Sequence, residues 1–187
     1  MNTPPAPSVQ SALRAELGRI VELDRVIRAA QAEQFQRIEA ARVLAASLEG
    51  VTELSGSAER EFAARSFVSE LATTMTVHEA TASRLVGDAG RLAGRFAVTL
   101  AALAGGAICV GKARTILELA STLPTRAVAE FEQTALRHPL PETPSAFRGG
   151  FGGYVSECTP SRSRPGTGLR VPSGGSASTL PTTAWRG

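Results

Sequence analysis

From Ser11 to Leu48 the chain runs without a proline and with one glycine, Gly18, and its apolar residues recur at intervals of three, four and seven. Leu13, Leu17, Ile20, Ile27, Phe35, Ile38, Val43, Leu44 and Leu48 fall on one face of a helix, with Leu23 and Val26 widening the stripe. Acids and arginines, among them Glu16, Arg19, Glu22, Arg25 and Arg28, fill the other side at spacings that allow ion pairs. At roughly 1.5 Å per residue such a helix is on the order of 55 Å long. That exceeds what a small core covers, so the helix either wraps a following bundle or pairs with a second copy.

Gly50 to Gly56 breaks the pattern, and shorter helical periods follow. The spacing predicts a helix from Ala58 to Met75 with Phe62, Phe67, Val68 and Leu71 on its apolar side, then a turn at Thr76-Val77. A third helix spans His78 to Leu92, and Gly94-Arg95 interrupts it. Another begins near Phe96 and stops at Gly105-Gly106, and residues 111–122 form the next, ended by Pro124. A last helix runs from Arg126 to Leu136, where the three prolines of HPLPETP forbid continuation. No segment sustains a two-residue alternation of β-branched residues, which argues against a sheet. The expected fold is all-α: a long N-terminal helix, then a compact bundle of short helices over residues 10–147. Residues 1–9 are Pro-rich and residues 148–187 are dense in Gly, Ser, Thr and Pro without periodicity, so both ends are expected to be disordered.

Composition sharpens this picture in one respect and misleads in another. Hydrophobic residues make up 43% of the chain but aromatics only 5%, so Ala, Leu, Val and Ile must pack the interior and helices must approach closely. The net charge of +3 suggests a nucleic-acid partner. It is not evenly spread: residues 1–147 carry 14 Arg and Lys112 against 16 carboxylates, whereas the tail holds five Arg and the single acid Glu157. The folded part is thus nearly neutral. Arginine outnumbers lysine by 19 to one, a bias that fits GC-rich codons as well as it fits a binding role.

Cys109 and Cys158 are far apart, there is no CxxC, and His78 and His138 are the only histidines. No zinc site is expected from such scattered ligands, and Cys109 reads as a small core residue. The N-terminus lacks the basic and apolar regions of a signal peptide, and VTLAALAGGAICV is too short to span a bilayer. A cytoplasmic protein with no membrane contact, no cofactor and no identified small-molecule substrate is expected.

The stretch ELATTMTVHEATASRLVGDAGR, residues 70–91, has the outline of a helix-turn-helix. Ala72 is the small residue where the helices touch, and Leu71, Met75, Val77, Ala82 and Val86 form the expected buried set. Thr81, Ser83 and Arg84 stand near the start of the second helix, where an arginine reaches a guanine edge or a phosphate. Two features oppose DNA contact. Thr76 sits where the turn prefers glycine for a positive φ, and Glu79 and Asp88 on the candidate face would repel phosphate. A plain core helix pair explains the same residues. LAGGAICVGKARTILELAS repeats the outline, with Lys112 and Arg114 either holding phosphate or simply solvated. His78 reads as a helix-start residue.

EREFAARSFVSELATTMTVHEATASRLVGDAGRLAGRFAVTLAALAGGAICVGKARTILELASTLP, followed by TPSAFR, resembles the conserved region of a bacterial family called domain of unknown function 222, or the 13E12 repeat family. The resemblance extends from Leu13 to Phe147. It implies a frequent C-terminal HNH nuclease module and an association with repeated or mobile elements. It also implies a basic helix after TPSAFR, then segments like HPEPLA and LDPADDGMAW. None appears in frame, but when GC-rich codons are assigned to residues 148–186 and read one register over, with up to four options for each shifted residue, RRLRRLRERVHPEPLAP and RLDPADDGMAW are among the readings, in order and at about the family's spacing. The tail is therefore expected to be out of frame from near Arg148.

An HNH site needs a histidine general base and metal-binding His or Asn side chains, and no residue of this chain is assigned such a role. The expected function is that of a non-catalytic, truncated relative of nuclease-associated proteins that contacts DNA through Thr81, Ser83, Arg84, Lys112 and Arg114. The alternative is a scaffold that self-associates through the helix 11–48 and binds no nucleic acid.

Overall fold

A computed structural model describes residues 8–137, together with Ser145 and Gly149. Helices α1 (Val9–Leu48), α2 (Ser57–Met75), α3 (Glu79–Ala93), α4 (Ala97–Ala104), α5 (Val110–Ala120) and α6 (Thr125–Arg137) follow in order. No strand occurs among the described residues, and none of their helices is long and apolar enough to cross a membrane. The domain is all-helical. Apart from Gly149, the expected tail lies outside the described residues.

Helix α1 starts at Val9, two residues earlier than its periodicity indicates, because Ser8 caps it: the Ser8 Oγ accepts from the Ser11 N–H at 3.2 Å. Ser8 and Val9 therefore leave the segment expected to be disordered. A larger correction concerns the apolar stripe. Of α1 only Ala32, Phe35 and Ile38 are fully buried, while Leu13, Leu17, Ile20 and Ile27 are each more than half exposed. Val43, Leu44 and Leu48, at the other end, are exposed as well. The bundle is shorter than the helix and meets only its middle.

The contact begins at the Gly105-Gly106 turn. Arg28 Nη1 donates to the Gly106 carbonyl at 2.8 Å, and the same guanidinium pairs with Asp24 one turn back. Gly106 has φ 72°, and a Cβ there would sit 3.2 Å from Arg25 Cγ. Glycine meets both demands, the left-handed backbone and the close approach of α1, without strain.

Helix α3 is the hub, packing against α1, α2, α4 and α5. Alanines at the crossings let the helices close up: Ala32, Ala82, Ala89 and Ala135 are wholly inaccessible. Phe35, Phe67, Phe96 and Phe131 fill the volume between them. This is the alanine-rich interior that the scarcity of aromatics requires. Two expected core members differ. Phe62 of α2 is exposed, and Cys109 is only half-buried while its neighbour Ile108 is inside.

Helix α4 has only eight residues, and Phe96 at its N-cap provides no capping side chain. A residue far along the chain supplies the cap. Glu132 of α6 is buried, and its Oε1 accepts from both the backbone N–H and the hydroxyl of Thr99 at 2.7 Å. The carboxylate thus satisfies an orphan donor in the first turn and lies at the positive end of the helix. Replacing Glu132 with alanine strands two buried donors. Chemical denaturation should show a loss of roughly 2–3 kcal/mol, and Glu132→Gln, which keeps one acceptor oxygen, should lose about half as much.

On α1, Arg42 grips Glu39 through two bonds of 2.7 and 2.8 Å beside Gly90 of α3. The hydrogen-bonded Arg42 guanidinium holds the Glu39 carboxyl below its ordinary value of 4.5, against a smaller opposing effect of burial. A lowered folded value means that this pair stabilises fully above the ordinary carboxyl range and loses its contribution as pH falls through the folded value. Arg42→Met should therefore flatten the fall in melting temperature below about pH 5, a comparison that needs only thermal scans of the two proteins.

Candidate nucleic-acid interface

The α2–α3 hairpin is closed by a three-residue turn whose hydrogen bonds define it. Thr76 N–H donates to the Thr73 carbonyl at 3.2 Å, and Val77 N–H reaches back to Ala72 at 2.9 Å. This pairing is a Schellman motif, which requires a left-handed residue at its apex. Thr76 takes that role with φ 54° and ψ 45°. Its lack of a glycine does not prevent the turn; the β-branched residue adopts the positive φ anyway. His78 then caps α3, its Nδ1 accepting from the Ala80 N–H at 3.1 Å, which is the helix-start role expected of it.

The α4–α5 hairpin uses the same device. Gly106 N–H donates to Leu103 and Ala107 N–H to Ala102, both at 2.9 Å, with Gly106 at the left-handed position. Thr76 and Gly106 are thus equivalent points in two hairpins of like construction. The second differs in its surroundings, because α1 lies across its turn.

Within the first hairpin, Ala72 and Ala82 are buried at the helix contact, as their small size predicts. Leu71, Met75, Val77 and Val86 are only half-buried, since they line the edge of the contact rather than its centre. The outward arc of α3 carries Glu79, Ala80, Ser83, Arg84 and Gly87. Apart from Arg84 and Glu79 it is made of small residues, a shallow face. Thr81, one turn before Arg84 at the side of this arc, is half-buried, whereas Ser83 and Arg84 are exposed.

Asp88 is not on that face. It is 3% exposed, and its two oxygens take Arg91 Nη2 at 2.8 Å and Arg114 Nε at 2.9 Å. A buried carboxylate needs such partners, and α3 and α5 are joined through them. Its charge is neutralised inside the domain, so it does not repel phosphate as its sequence position suggests. Arg114 is correspondingly not a freely solvated charge: it is the ion-pair partner of Asp88. Lys112 is half-buried and also engaged.

The same network assembles something the sequence pattern did not single out. Arg91 lies seven residues after Arg84, two turns along one side of α3. Arg91 and Arg114 each commit one nitrogen to Asp88 yet stay more than a third exposed. Arg84 is exposed, with no ion pair among the described residues. Three guanidinium groups therefore stand along one edge of α3 against a single buried carboxylate. The i, i+7 spacing of Arg84 and Arg91 was the available signal. Among the described residues no group of three or more His, Cys, Asp or Glu is placed to hold a metal ion.

Fold and turns together define an all-helical domain organised around two like-built helical hairpins. The chain belongs to the family described as domain of unknown function (DUF222), whose model matches residues 28–159. The match begins at Arg28, the residue whose side chain fixes α1 to the Gly106 turn, rather than at Leu13. No curated protein and no solved structure matches the chain.

A threonine held in the left-handed region costs about 1–2 kcal/mol. Thr76→Gly relieves that cost but gives the unfolded chain more freedom, so a net gain of about 0.5 kcal/mol is expected. Thr76→Val, equally branched and without the hydroxyl, should give no gain. Urea melts of the three proteins check the order.

Proposed function

We propose that the helical domain is a non-catalytic, DNA-contacting accessory module that presents the outer edge of α3 to the duplex. The observation that carries this reading is the arginine cluster around Asp88. Arg84, Arg91 and Arg114 place excess positive charge on one edge, next to a face of Ala80, Ser83 and Gly87 that is low enough for close approach. Nucleic-acid phosphates are recognised chiefly by such guanidinium groups. The turn at Thr76 supports the reading further, since it sets α3 off α2 as a separate, capped helix. The near-neutral charge of residues 1–147 points to modest, salt-sensitive binding made by a local patch rather than by the whole surface.

Fluorescence anisotropy of the full chain on a labelled random duplex tests this. Binding should be measurable at low salt and fall steeply as salt rises, with Arg84→Ala reducing the logarithmic salt slope by about one. Asp88→Asn, which removes the neutralising charge, should tighten low-salt binding even as it lowers stability. Absence of any retention at low salt, or an Arg84→Ala protein that binds as well as the parent, sinks the reading.

A further inference from the structure

The N-terminal half of α1 carries an apolar stripe on which none of the described residues packs. Leu13, Leu17, Ile20 and Val21 are exposed by 59, 52, 59 and 51%. They continue, at helical spacing, the face that further along buries Ala32, Phe35 and Ile38 in the core. The covered part of that face begins near Arg28, and the bare part lies N-terminal to the family match at residues 28–159.

We infer that this bare stripe is a two-fold interface: two copies of the chain pair antiparallel through Leu13, Leu17, Ile20 and Val21. A coiled-coil seam traced through it runs Leu13, Leu17, Ile20, Asp24, Ile27, with steps of four and three. Asp24 is the polar interruption. In a parallel pair, Asp24 would face its own copy across the seam, like charge against like. An antiparallel pair centred between Leu17 and Ile20 places Leu17 against the partner's Ile20 and Asp24 beside the partner's Leu13 and Arg14.

The charges agree with that register. Every other arginine of α1 pairs with an acid of the same helix: Arg19 with Glu16, Arg25 with Glu22, Arg28 with Asp24, Arg37 with Glu33 and Arg42 with Glu39. Arg14 has no such partner among the described residues. The antiparallel register offers it the partner's Asp24, and two-fold symmetry makes the contact twice.

Extent and composition bear on the occupant. Residues 9–27 span roughly 28 Å of helix, about 10 Å across. Interdigitated along that length, two helices approach the lower bound of about 1,000 Å² for a specific interface. The expected dimer is therefore weak and concentration-dependent, not obligate. Residues 138–187 of the same chain are a poor alternative cover, because they are rich in Gly, Ser and Pro and have no helical apolar repeat to match the stripe.

Sedimentation velocity on the full chain from about 1 to about 300 µM tests the association. The mass should rise with concentration from the 19.5 kDa monomer toward twice that value. Leu17→Glu should weaken the dimer at least tenfold with no change in the melting of the bundle, since Leu17 contributes nothing to the core. Orientation is read by disulfide trapping with Cys109 and Cys158 replaced by serine. Leu13→Cys mixed with Asp24→Cys should cross-link, whereas Leu13→Cys alone should not, because its two copies lie far apart in the antiparallel register. A monomer at all concentrations, an unchanged Leu17→Glu dimer, or efficient cross-linking of Leu13→Cys to itself each overturns the proposal. DNA binding enters none of these readouts, so this inference and the function proposed above fail separately.

Discussion

A carboxylate buried among helices must be answered by positive charge, and Asp88 is where this domain meets that requirement. Its two oxygens hold Arg91 of its own helix and Arg114 of α5, so the central helix and the second hairpin are joined through one side chain. The consequence for the surface is as large as the one for the core. The neutralised charge disappears from the outer face of α3, while the arginines that neutralise it gather at its edge. The electrostatic character of that edge, and with it the case for nucleic-acid contact, is a by-product of satisfying one buried group.

Backbone geometry imposes a second constraint, seen twice. Both helical hairpins end their first helix in a Schellman turn, and both need a left-handed residue. Gly106 is glycine for two reasons, its positive φ and the presence of α1 within van der Waals distance. Thr76 meets only the first demand, because no other segment crosses its turn closely enough to exclude a side chain. The different residues at equivalent positions follow from what packs outside each turn.

The short α4 shows how far apart in the chain a local need can be met. It has no cap of its own, and Glu132 on α6 provides one from 33 residues away. Nothing in the sequence near Glu132 indicates a helix N-terminus in contact with it. Asp88, read from its position as a charge on the candidate face of α3, is likewise internal. In both cases the physical role depends on donors brought in by tertiary packing.

Local periodicity and punctuation determined the helices themselves. Proline-free runs, Gly breaks and the three- and four-residue spacing placed all six within two residues of their observed ends, and the scarcity of aromatics foretold an interior closed by alanines. The outline of the hairpin at Thr76 was equally legible, as was the exposure of Ser83 and Arg84. Tertiary structure alone decided which part of each face is used. Periodicity marks an apolar stripe but not how much of it a bundle can reach, so α1 presents Leu13, Leu17 and Ile20 to solvent while burying Phe35 and Ile38. Charge in a sequence has a sign but no partner. Only the packing of α3 on α5 made Asp88 internal and bound Arg114 to it, bringing a third guanidinium to the side of α3 where helical spacing already aligns Arg84 and Arg91.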